Sequence, residues 1–436
     1  MKDAKKNRKR GSEARATSDE SEAWLSRPAQ VLISLGAAIV YFFSNPTPQS
    51  YYDYTFRVAA NMLRGRIAFN LPQPSWLNEF VPFEGYYYSV FPLGAVLSMM
   101  PFALLQVLGI IKTMPGAWIS ALLAGACCWF CLKIAERYDI DRSKQILYSL
   151  AMLFGTFAWA NLAFAGAWQL ALGLAMLGEL AAIYFTVYDR RPLLAGFFFA
   201  MAFGNRTECL LTAPIFLYFL NRGDAETQRP DNQKEVDTNS VLSSPRLRVS
   251  AVNTALFCLV PFVLGTATLA YNYVRFHSIT DFGYARIPGV LDEPWYKDGI
   301  FSVNYIPRQA YEMLLKLWNW TSTFPYLIPD GFSSSILLSS PFLFLTLRVG
   351  TKDGALKLAS WIAVALLTLT LWMHGNSGGW QFGYRYAMVL LPWVLVLLLE
   401  SATKHVTKLE WTLFGISFFA NAYATWLFNW TDYIKP

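Results

Sequence analysis

The sequence predicts an all-α integral membrane protein with about eleven transmembrane helices and amphipathic juxtamembrane helices in its first outer loop. Three observations predict it. Of the 436 residues 55% are apolar and only 15% charged, a balance foreign to a soluble chain of this length. Apolar runs of roughly 20 residues recur, the length a helix needs to cross a hydrocarbon core. Lys and Arg gather in the first 27 residues and in short gaps between those runs, so the net charge of +7 reads as membrane orientation and excludes a nucleic-acid partner.

Taken in order, residues 1–27 are polar and charge-dense and predict a disordered cytoplasmic tail. Apolar segments at 28–44, 115–133, 145–160, 167–188, 192–204, 208–221, 250–274, 331–348, 355–373, 386–400 and 411–428 predict the spans. The first has no small-residue cleavage site after it and reads as a retained span rather than a signal peptide. The segment 91–111 is long enough to span, yet Pro92, Gly94 and Pro101 interrupt it. Placing it on the outer face lets every basic gap fall on the N-terminal side, from Arg137, Arg142 and Lys144 to Lys404 and Lys408.

The resulting organisation is an N-terminal module, 28–221, with an outer loop at 45–114, then a polar cytoplasmic linker, 222–249, then a C-terminal module, 250–436. The second module carries outer loops at 275–330 and 374–386. The five cysteines lie inside apolar runs as small hydrophobes, and the three histidines lack ligand spacing, which speaks against a His-based metal site.

The first outer loop is where chemistry shows. Asp53, Arg57, Asn61 and Arg64 recur at helical spacing, with Phe56, Ala60, Leu63 and Ile67 opposite, which predicts an amphipathic interfacial helix. A carboxylate just past a span and followed by basic residues can take a proton beside an anionic headgroup. The alternative is an ordinary interfacial helix with an Asp53–Arg57 pair one turn apart.

A span, an acidic loop helix ending Met62-Leu63-x-Gly65 and then GYYYSVFPLG (85–94) resemble the GT-C superfamily of polytopic glycosyltransferases. The likeness is to bacterial relatives of protein O-mannosyltransferases and to lipopolysaccharide-core glycosyltransferases. YNYVRFHSITDFGY (271–284), SSPFLFL (339–345) and GGWQFGYRY (378–386) extend it, in order, over most of the chain. The resemblance implies a hexosyl- or pentosyltransferase of the cell envelope, in the bacterial plasma membrane with its N-terminus cytoplasmic. It would move a sugar from a polyprenyl-phosphate donor to a glycan, lipid or protein hydroxyl on the outer face.

The resemblance also implies that Asp53 is the general base, kept ionised by Arg57. The family's frequent adjacent acidic pair is missing, since Tyr52 and Tyr54 flank Asp53, which leaves a divalent metal open and makes Glu79 and Glu84 substitute acids. A phosphate leaving group needs fixed cations. Arg385, in a Gly-rich turn beside Trp380, Tyr384 and Tyr386, is the first candidate; Arg206 in GNRTE, Arg275 and Arg57 follow. Arg385 can instead be a snorkelling anchor, Arg206 half of a structural pair with Glu208, and Arg275, with Tyr271, a helix-end anchor. Glu84, Tyr87, Trp380, Tyr384 and Tyr271 are the substrate-contact candidates. The aromatic segment WNWTSTFPY (318–326) fits a membrane belt better than a sugar platform. A transporter or flippase of lipid-linked sugars is the rival reading, against which stands the lack of paired interrupted helices in the two halves.

Overall fold

The computed structural model describes residues 25–48, 51–226 and 245–434. The tail expected at 1–27 and the linker expected at 222–249 lie largely outside them. The described chain is mostly helical. Among the described residues strands are confined to two short hairpins, β1 (Phe80–Phe83) with β2 (Tyr86–Ser89) and β3 (Asn319–Trp320) with β4 (Leu327–Ile328). Both lie in the long loops.

The helices follow the apolar runs. In chain order they are α1 (Arg27–Phe43), α2 (Tyr54–Leu63), α3 (Leu93–Val107), α4 (Gly116–Ala135), α5 (Arg142–Phe154), α6 (Ala158–Phe164), α7 (Ala167–Ile183) and α8 (Pro192–Asn205). Then come α9 (Ala213–Glu226), α10 (Pro245–Phe276), α11 (Ile306–Leu314), α12 (Ile336–Ser339), α13 (Gly354–Met373), α14 (Leu391–Glu400) and α15 (Lys408–Trp430). Among the described residues four stretches are long and apolar enough to cross a membrane: Gly116–Ala135, Ala167–Tyr188, Ser250–Phe276 and Gly354–Met373. The pair α5 and α6, bent by 53° at its break, makes a fifth if read as one span.

Helix length therefore yields four or five spans, where the apolar runs predict about eleven. The difference has local causes. The run 145–160 breaks after Phe154, where Thr156 Oγ1 turns back to the Met152 carbonyl and accepts the Ala158 N–H, giving the backbone a local alternative to the helix ladder. The run 331–348 forms only the four-residue α12 and a 3₁₀ turn, Pro341–Leu347. Ser335 caps α12 through Leu338 N, and Pro341 has no N–H with which to continue it. The run 386–400 opens as a 3₁₀ turn before the ten residues of α14. By contrast α15 starts cleanly on a capping box between Thr407 and Glu410.

The segment 91–111 contains the 15 residues of α3, about 22 Å at the helical rise and short of a hydrocarbon core. Pro92 precedes its first turn, and Gly94 meets Gly204 so closely that a Cβ would stand 2.4 Å from the Gly204 Cα. That contact docks the start of α3 on the end of α8. The expected interfacial helix is α2, but it is more enclosed than an interfacial helix would be: Phe56, Val58, Ala59 and Ala60 are all buried, and Ile67 lies beyond its end.

Hydrogen bonds sort the connections into two ends of the bundle. At one end Ala167 N donates to Tyr52 O (2.9 Å), Asn45 Nδ2 to Ala163 O (3.0 Å), Asn161 Nδ2 to Phe382 O (2.8 Å) and Trp430 Nε1 to Ser44 O (2.8 Å). At the other, Tyr138 donates to Glu400 (2.8 Å), buried Lys144 pairs with buried Glu410 (2.9 Å), and Arg222 pairs with Asp353 (2.9 Å). The gaps near 137–144, 352–357 and 404–408 thus share one end. The first loop and the 374–386 turn share the opposite one.

Candidate functional site

Asp53 immediately precedes α2 and is 7% exposed. Its Oδ1 accepts from Arg57 Nε at 2.6 Å, one helical turn on, so the spacing seen in the sequence becomes a real pair. Burial pushes its carboxyl above the ordinary value, and the Arg57 hydrogen bond and charge only partly offset this. Sequence reasoning, with Arg57 alone in view, had the balance the other way.

The next residue, Tyr54, packs its ring against Trp168 (5.1 Å) and Phe91 (5.3 Å), and Tyr52 packs on the same indole (5.1 Å). Trp168 stands in the first turn of α7 and donates its Nε1 hydrogen to both oxygens of Glu79, each at 2.8 Å. Burial raises the Glu79 carboxyl to about 7, against the Trp168 hydrogen bond and the positive charges of Arg385 and Arg206, which pull it down. A carboxyl poised there exchanges its proton near neutrality.

The Gly-rich turn supplies the cation expected of it. Gly378 (φ +101°) and Gly383 (φ +67°) take left-handed backbone conformations, and so does the bulky Trp380 (φ +47°). Arg385 is 6% exposed, donates Nη1 to Gly379 O (2.6 Å), and holds its guanidinium over the rings of Trp168 (5.6 Å) and Tyr386 (5.2 Å). Its Nε is buried without a partner among the described residues. Arg206, paired with Glu208 at 2.9 Å, lies over the same Tyr386 ring at 4.7 Å. Around Tyr386 stand His374 (ring to ring 5.9 Å) and, beyond it, the hydroxyl pair Tyr284–Tyr296 (2.9 Å). Burial lowers the His374 pKa, keeping that imidazole neutral near pH 7.

The other expected residues sit elsewhere. Arg275 is fully buried, donates to the Ser89 carbonyl and to Asn272 Oδ1 (2.6 Å), and stacks on Tyr271 (3.9 Å). It ties the end of β2 to α10. Glu84 (φ +48°) occupies the exposed β1–β2 turn and faces His277 at 3.0 Å. Tyr87 is a strand residue whose backbone bonds to Phe69. Trp380 packs between Phe164 (5.8 Å) and Phe428 (5.7 Å), and Tyr384 is buried with its hydroxyl donating to Gln309 (2.9 Å). Tyr271 is buried beneath Arg275.

Sequence reasoning missed Trp168, which sits in an apolar run with nothing local to mark it, and the Tyr284, Tyr296 and His374 group. It mentioned Glu79 without ranking it above Glu84; the structure separates the two. Among the described residues no three His, Cys, Asp or Glu side chains gather to hold a metal.

The fold and the site define a mostly helical chain, with helices apolar enough to cross a membrane, that brings the Asp53–Arg57 and Arg206–Glu208 pairs together with Glu79 and Arg385 at one end of its bundle. Comparison with known families, with curated proteins and with solved structures finds no match to this chain.

Proposed function

We propose that the protein is a membrane glycosyltransferase that moves a sugar from a polyprenyl-phosphate donor to an acceptor hydroxyl. In this reading the end that carries Asp53 and Arg385 faces outward, the basic gaps lie in the cytoplasm, and the broken helices are completed as crossings by packing on their neighbours. The observation that carries the reading is the placement of Arg385 and Arg206 over one Tyr386 ring, with Glu79 on Trp168 beside them and an Arg385 Nε that has no partner among the described residues. Guanidinium groups held rigid by aromatic faces suit a phosphate.

The chemistry follows from those charges. The acceptor oxygen gives its proton to the Asp53 carboxylate and attacks the anomeric carbon. The bond from that carbon to the phosphate oxygen breaks, and the electron pair leaves with polyprenyl phosphate, with inversion. Arg385 and Arg206 stabilise the charge that develops on the leaving oxygen. Arg57 holds the Asp53 carboxylate in one orientation. Turnover by the purified protein with a polyprenyl-phosphate sugar and a panel of hydroxyl acceptors tests this. Movement of the donor between leaflets of a vesicle with no transfer would overturn it in favour of a transporter.

A further inference from the structure

A polar cleft lies across the Gly375–Gly378 turn from Arg385. Its volume is roughly 210 Å³, and Trp295, Arg308, Glu312, Lys316, Asp330 and Phe332 line it with the turn residues Gly375, Asn376 and Ser377. The turn is a shared wall. A Cβ on Gly378 would lie 3.1 Å from Arg385 Nε, and one on Gly375 would strike the Tyr296 ring at 2.5 Å. The cleft therefore sits next to the proposed donor cations without using them.

The charges of the lining decide what fits. Arg308 and Lys316 are balanced by Glu312 and Asp330, so the cleft has no net charge with which to attract a polyanion. Lys316 and Asp330 are spent on each other at 3.0 Å, and Lys316 also donates to Ser333 at 3.2 Å. Arg308 and Glu312 are not. Arg308 donates an Nη2 hydrogen to the Gly375 carbonyl, while its buried Nε has no partner among the described residues. Glu312 accepts a 3.3 Å bond from Ser333, and among the described residues its carboxylate is otherwise free. The two are four residues apart on α11, a spacing that lets acceptor and donor project side by side. Trp295 and Phe332, with ring centroids 6.1 Å apart, add an apolar wall.

We propose that this cleft is the acceptor subsite and takes one uncharged pyranose ring, with Glu312 accepting from and Arg308 donating to its hydroxyls, and with Trp295 and Phe332 against its apolar face. This rests on the glycosyltransferase reading and narrows the acceptor to a glycan end with a neutral sugar. Adjacent hydroxyls need one fixed acceptor and one fixed donor a few ångströms apart, which this pair supplies. The cleft is smaller than the sites that enclose drug-sized ligands, which suits one ring and not an oligosaccharide.

The test measures binding without any donor. The full chain in lipid nanodiscs is titrated with glucose, galactose, mannose and N-acetylglucosamine, and with glucuronate and glucose 6-phosphate, by saturation-transfer NMR. At least one neutral sugar should bind saturably in the millimolar range, the affinity open to a ligand with so few atoms. Glu312→Gln should weaken that binding about tenfold, the scale of one hydrogen bond to a charged group. Trp295→Ala should weaken it further. Tightest binding of the anionic sugars, no saturable binding of any neutral one, or equal binding by both cleft variants would overturn the subsite. So would active transfer with an unchanged acceptor KM in Glu312→Gln, an outcome that leaves the enzyme reading itself intact.

Discussion

Asp53→Asn separates chemistry from architecture at this site. The substitution keeps the shape and much of the hydrogen bonding of the side chain but removes the ability to take a proton. Its structural cost is small: Arg57 is about a third exposed (36%), so the 2.6 Å pair contributes at most about 1 kcal/mol. No side-chain cap on α2 is lost, because the Asp53 carboxylate bonds to Arg57 and not to the first-turn amides. Burial already disfavours the charged carboxylate, so a neutral amide recovers part of that cost. The catalytic loss should be much larger, about 100-fold or more in transfer rate, or roughly 2.7 kcal/mol of barrier. Wild type and variant would be assayed in one detergent for transfer of a radiolabelled sugar and for donor binding, with the melting temperature as the folding control. Rate should collapse while binding and melting hold. Near-normal transfer by Asp53→Asn would refute the assignment and pass the role to Glu79, whose carboxylate accepts from Trp168.

Four more outcomes are expected. Arg385→Ala should weaken binding of a polyprenyl phosphodiester strongly and Arg385→Lys should restore only part, because an ammonium lacks the planar two-pronged contact; unchanged binding in folded Arg385→Ala assigns the residue to anchoring. Arg275→Ala should instead lower the melting temperature, costing about 1–3 kcal/mol as Ser89 O and Asn272 lose their donor, with no selective effect on donor binding. Impermeant thiol reagents applied from outside should label a cysteine placed in 275–330 and spare one in 222–249; the reverse pattern sinks the proposed orientation. Affinity for a phosphodiester, whose own charge is constant across this range, should fall as pH rises through about 7, where Glu79 becomes anionic beside Arg385 and Arg206; Glu79→Gln should flatten that dependence, and a profile unchanged by the substitution would contradict it.

What the sequence discloses depends on whether the deciding interaction is local. The run 167–188 coincides with the apolar stretch Ala167–Tyr188, and 355–373 with Gly354–Met373, because composition and length suffice to specify an uninterrupted helix. The runs 145–160 and 331–348 are equally apolar, yet hydropathy does not register a Thr156 hydroxyl that competes for backbone groups or a proline that cannot donate. The site divides along the same line. The Asp53–Arg57 pair is a four-residue spacing and could be read directly, and the Gly-rich turn carrying Arg385 announces its left-handed glycines. Glu79 and Trp168 are 89 residues apart, and Arg206 reaches Tyr386 across two modules of the chain, so their meeting is a property of packing. The same limit explains the Asp53 carboxyl. Its neighbour Arg57 is visible in sequence, whereas the burial that raises its pKa comes from the packing of the folded chain. A charge read from sequence spacing is thus a statement about one partner, and in a buried site desolvation by distant segments can outweigh it.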